Sequence, residues 1–270
     1  MTAPTTENAT AWTLSFLHRP AAPGPEDQGD LILLVPGLGC AKECFNGAFR
    51  HEALRHTTLV TFDFPGQGDH APARNPEPVW SGNMQFLCRW LSSIYMLTAP
   101  TGRRVHMVAH SMGNLPALAA WTPIPEKTQG AFISIEGNLT TADCFASSRL
   151  SIGLPETEAF INELRASADL SLRRWGADLL WNEPQYLVAL ARDLVSICGT
   201  DYLTSGWKQL KEAHYLYGER SGYPEHHRHL FEETNTAVHE IPGSGHFPMF
   251  DNPAATWDTV AAAVRSTHDR

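Results

Sequence analysis

Val105-His106-Met107-Val108-Ala109-His110-Ser111-Met112-Gly113-Asn114 is the stretch that decides the fold of this chain. The run from Arg104 to Ala109 reads as a strand buried on both faces, and it enters a small-x-Ser-x-Gly turn. Met112 to Trp121 follows as an Ala- and Leu-rich helix that Pro123 and Pro125 stop. A turn this tight forces the serine outward on strained backbone angles. Ala109 and Gly113, two residues before and two after it, keep the neighbouring chain from clashing. The helix start behind Ser111 aims free N–H groups at any oxyanion formed there.

Working outward, Leu31 to Val35, Thr57 to Phe62, Ala131 to Ile135, His214 to Tyr217 and Thr236 to Ile241 read as further buried strands. Trp12 to Leu17 alternates bulky and small polar residues, as a half-buried strand does. Trp80, Met84, Leu87, Leu91, Ile94 and Tyr95 share one helical face, and Pro253 to Ser266 reads as a helix with Pro in its first turn. Strand alternating with helix predicts an α/β fold, a mainly parallel sheet flanked by helices. From Asn138 to Trp207 there are only helical patterns, such as Glu156 to Leu170 and Pro184 to Cys198. Residues 139–207 are therefore expected to form a helical cap, inserted after the strand that follows the nucleophile. Residues 1–138 and 208–270 then form the core domain.

Composition narrows the classes. Of 270 residues, 43% are apolar and 18% charged, which excludes a disordered chain. The balance of 20 basic against 29 acidic residues, net −9, with no basic cluster, argues against nucleic acid as a partner. Leu31 to Val35, the longest strongly apolar run, is far short of the ~20 residues a membrane span needs. Met1 to Thr10 lacks the charged start and apolar core of a secretory signal. The five cysteines are scattered and odd in number, so free thiols and a cytoplasmic location are expected. Oligomeric state leaves no signal.

At this point the chain resembles the α/β-hydrolase family, serine-nucleophile branch, over nearly its whole length. Leu33-Leu34-Val35-Pro36-Gly37-Leu38-Gly39 looks like the family's oxyanion loop, with Pro36 where His is common. Asp63-Phe64-Pro65-Gly66-Gln67-Gly68-Asp69 resembles its D-x-P-G-x-G turn. Ile241-Pro242-Gly243-Ser244-Gly245-His246-Phe247-Pro248 resembles the loop that delivers the catalytic histidine. Ala109 replaces the first Gly of G-x-S-x-G. The resemblance implies an oxyanion hole from the N–H groups of Leu38 and Met112. It implies structural work for Asp63, Asp69 and Asp251 in their turns.

His246 suits its place because imidazole takes a proton from serine and returns it to a leaving group near neutrality. The third member of the set is open. The family's usual Asp position, after Tyr215-Leu216-Tyr217-Gly218-Glu219-Arg220, holds Ser221, which carries no charge. Glu136, closing the strand Ile133-Ser134-Ile135, is the favoured acid, since some branches of the family place a catalytic Glu there. Glu219 is the alternative, and Asp143 a third option. His110 reads as a packing or substrate-facing residue and Cys40 as a packing residue or part of the entrance. His226, His227 and His229 lack visible metal partners and read as a solvated helix face; no metal and no cofactor is called for.

These residues predict a serine hydrolase that cleaves a small to medium apolar carboxylic ester, lactone or thioester through an acyl-enzyme on Ser111. A C–C hydrolase, acyltransferase or lyase with the same residues is the alternative. A non-catalytic ligand-binding protein on this scaffold is the rival from another class.

Overall fold

The computed structural model describes residues 15–24, 29–70, 83–99 and 103–268. Seven strands make one sheet, in the order β1-β3-β2-β4-β5-β6-β7. They are β1 (Phe16–Arg19), β2 (Leu31–Val35), β3 (Thr58–Phe62), β4 (Val105–His110), β5 (Gln129–Ile135), β6 (Ala213–Gly218) and β7 (Ala237–Ile241). The β1–β3 pair is antiparallel and every other pairing is parallel. All residues of β2, β4 and β6 are buried, so these runs show no polar alternation, and the histidines His106, His110 and His214 within them are buried too.

The helices are α1 (Asn46–Arg50), α2 (Met84–Thr98), α3 (Asn114–Trp121), α4 (Phe145–Ile152), α5 (Leu154–Ala166), α6 (Leu170–Leu179), α7 (Pro184–Cys198), α8 (Tyr202–Trp207), α9 (Arg228–Glu233), α10 (Pro248–Asp251) and α11 (Pro253–Ser266). Helices α2, α3 and α8 pack as one group against the sheet and α1 with α11 as another. Phe132 of β5 meets Trp121 and Trp207 edge-on, with centroids 5.5 and 5.8 Å apart. Each such pair adds ~1 kcal/mol beyond buried area.

Local chemistry sets the boundaries. The helices α5, α7 and α11 carry Pro in their first turn, where the missing N–H costs no bond. Glu156 to Leu170 is not one helix. The chain leaves helix after Ala166, and Asp169 restarts it by accepting from the N–H groups of Ser171 and Leu172. The first strand begins at Phe16, and residues 12–14 and Trp80 lie outside the described residues. Helices α4 to α8 all fall between β5 and β6. Among the described residues no helix is long and apolar enough to cross a membrane. All five cysteines are free thiols.

Candidate functional site

Ser111 follows β4 with φ +52°, a left-handed conformation that costs a non-glycine residue about 1–3 kcal/mol. Packing holds it there. A Cβ on Gly113 would lie 2.6 Å from the Pro36 carbonyl oxygen and 2.7 Å from that of Val35, so only glycine lets the turn seat against the 36–39 loop. Leu38 and Met112 are both buried beside this turn. The Leu38 carbonyl accepts from the Trp175 indole N–H at 2.8 Å, which pins the loop to α6.

His246 arrives on the loop after β7. Its Nε2 is 3.2 Å from the Ser111 Oγ, and its Nδ1 is 3.4 Å from Oε2 of Glu136. Glu136 stands at the end of β5 with φ +49°, a second left-handed non-glycine residue. Its other oxygen, Oε1, accepts the Gly218 N–H at 2.7 Å. Gly218 also has to be glycine: a Cβ there would lie 2.4 Å from the Gly245 carbonyl oxygen, closing the gap through which the histidine loop passes. The three side chains thus form one line of proton acceptors and donors. Apo distances at the long end of hydrogen bonding shorten when substrate compresses such a line.

The other two acids lie elsewhere. The Glu219 Oε2 accepts the Gly243 N–H at 2.7 Å and braces the histidine loop from outside. Asp143 Oδ1 takes His226 at 2.7 Å and His227 at 2.9 Å. Burial works to raise the Asp143 carboxyl, but hydrogen bonds from His227 and His226 override it and bring it to about 2. His227 is buried, so the solvated face expected for the three histidines fails there; His226 and His229 are exposed, although His226 is bonded to Asp143. That partner lies 83 residues before His226 in sequence, out of reach of any local pattern.

Asp251 does order the histidine loop. It accepts the Gly245 N–H at 2.8 Å and pairs with Arg220 at 2.9 Å. Arg220 also pairs with Asp169 at 2.8 Å, tying the loop to the start of α6. Asp63 is fully buried, receives the Lys42 N–H at 2.7 Å and pairs with the Lys42 ammonium at 2.8 Å. Asp69 joins the same ammonium at 2.7 Å. Cys40 is buried, and burial pushes its thiol well up.

His110 donates from Nε2 to the His246 carbonyl oxygen at 2.9 Å, and its ring lies 4.9 Å from that of His246. Burial and the neighbouring His246 hold its pKa well below the ordinary value, so the ring is neutral. Sequence reasoning missed this support, together with Trp175 and Arg220. The only sequence signal for His110 was its place beside the serine.

A cavity of about 790 Å³ opens on Ser111, Glu136 and His246. Phe160, Leu164, Leu172 and Trp175 give it an apolar wall, and the Trp175 ring lies 6.4 Å from that of His246. Asp143, Glu163, Asp169, Arg220 and Glu225 add charged groups to the lining.

No curated protein matches the chain by sequence. Solved structures do match its fold. The structure of MenH from S. aureus superposes with TM-score 0.69 at 14% identity, over 94% of this chain and 99% of that one. An esterase from Exiguobacterium antarcticum gives TM-score 0.69 at 13% identity, over 93% and 95%. A putative aryl esterase from Burkholderia cenocepacia gives 0.71 at 16%, over 95% and 96%. The profile described as "Alpha/beta hydrolase family" matches residues 32–259. With that match over most of its length, on the sheet and turns described above, the chain belongs to the alpha/beta hydrolase family.

Proposed function

We propose that the protein is a serine hydrolase for small to medium carboxylic esters, lactones or thioesters with an apolar acyl part. The observation that carries this reading is His246 bridging Ser111 and Glu136 at 3.2 and 3.4 Å, all three lining one cavity. The Ser111 Oγ attacks the carbonyl carbon as His246 Nε2 takes its proton. Glu136 holds the ring's Nδ1 side and stabilises the imidazolium that forms. The N–H groups of Leu38 and Met112 receive the oxyanion, each such donor being worth ~10²–10³ in turnover. The alcohol or thiol leaves with the proton from His246, and water clears the acyl group by the same path.

Within the cap expected over residues 139–207, helices α4 to α6 line the cavity in this reading. Their residues Phe160, Leu164, Leu172 and Trp175 supply the apolar wall for the acyl chain. The esterases among the structural neighbours agree with this reading.

A fluorophosphonate probe and a panel of p-nitrophenyl esters test it. Wild-type protein is expected to take one label on Ser111 and to turn over the esters, while Ser111→Ala loses both, turnover falling by about 10³-fold or more. A folded wild type that neither labels nor hydrolyses any ester or thioester sinks the reading in favour of ligand binding.

A further inference from the structure

Asp143, His226 and His227 sit apart from the serine, histidine and glutamate just described and do not enter that chemistry. We propose that they bind one divalent transition-metal ion of the zinc class on the cavity wall. Their three donor atoms lie within 4.8 Å of one another. The Asp143 Oδ1 to Nε2 separations, 2.7 and 2.9 Å, fall a few tenths of an ångström short of the ~3.3 Å edge of a tetrahedron with 2.0–2.1 Å bonds. A small spreading of the three side chains seats the ion.

The donors are pre-aimed. Asp143 Oδ2 is held by the N–H groups of Leu139 and Thr140 at 2.9 and 2.8 Å and also meets His227 Nε2 at 2.9 Å, while Oδ1 faces both rings. His227 packs against Phe231 and Tyr215, with centroids 5.4 and 6.3 Å away. Supports of this kind fix ligand orientation around metals. His226 is 40% exposed and, with Asp143, lines the cavity, giving the ion an entry path and an open coordination position. One carboxylate and two neutral imidazoles suit zinc, nickel or copper better than calcium or magnesium. On binding, each ring shifts its proton from Nε2 to Nδ1, so a neutral ring releases none. The ion would join the turn that leads into α4 to the turn after β6.

The test is calorimetric titration of the full, chelator-stripped chain with zinc chloride, alongside thermal melts. One zinc per chain and a melting temperature that climbs with zinc concentration are expected. His226→Gln, at a partly exposed position, should fold normally and weaken binding by about tenfold or more. His227→Gln should weaken it similarly, and His229→Gln should leave it unchanged. Asp30, His106 and His268 form the other such group among the described residues, so His268→Gln is the second control. Loss of binding in His268→Gln with retention in His226→Gln overturns the proposal, as does the lack of stoichiometric binding by the wild type.

Discussion

At the scale of single residues the deciding question is which carboxylate serves His246. Glu136 reaches the imidazole, whereas Glu219 faces the Gly243 N–H. Glu136→Gln is therefore expected to lower kcat by about 10³-fold or more. Glu219→Gln keeps an acceptor for an exposed amide and should change kcat by less than about fivefold. Steady-state ester hydrolysis checks both, and the opposite ranking would transfer the role to Glu219. Ser111 and His246 were legible in the sequence because each sits in a motif of a few residues whose glycines state the backbone geometry. The acid was legible only as a preference for Glu136, because Glu219 and Asp143 carry the same charge. They differ in three dimensions, with Glu136 beside Gly218 and His246, Glu219 on the Gly243 N–H and Asp143 on His226 and His227.

At the scale of elements, α6 couples the helical segment to the loop proposed to hold the oxyanion, through the Trp175 N–H on the Leu38 carbonyl. Trp175→Phe keeps the ring and deletes the donor. The Leu38 carbonyl then keeps only the weak Cys40 thiol contact at 3.8 Å, and the loss of a hydrogen bond of about 1 kcal/mol should lower kcat/KM by about fivefold. Thermal melts run in parallel show whether the loss exceeds any change in folding. An unchanged kcat/KM would separate α6 from the site. The limits of α7 and α11 were plain in sequence because proline marks their starts. The break between α5 and α6 was hidden, since an apolar period runs across it and the capping role of Asp169 emerges only in three dimensions.

At the scale of the whole molecule, burial holds the pKa values of His106, His110 and His239 below the ordinary histidine value. The unfolded chain protonates such groups near pH 6.5 while the folded one does not, so below that pH the unfolded state binds more protons and stability falls. Each such group removes up to ~1.4 kcal/mol per pH unit until its native value is reached. Urea unfolding at about pH 7 and about pH 5.5 should show the loss, and His110→Gln should reduce it. A flat profile would contradict the buried neutral state. Asp143 acts in a lower window: its contribution is complete above the ordinary carboxylate range and fades as pH drops towards about 2. Strand alternation with helix was legible along the chain. The order β1-β3-β2-β4-β5-β6-β7 was not, because adjacency of distant strands leaves no local mark. One anchor has a practical corollary: Glu136 leans on a main-chain amide of Gly218 and on no side chain from the following turn. Cavity shape is thus open to redesign at Ser221 and Tyr223, which line it, provided Glu219 and Arg220 stay to brace the histidine loop.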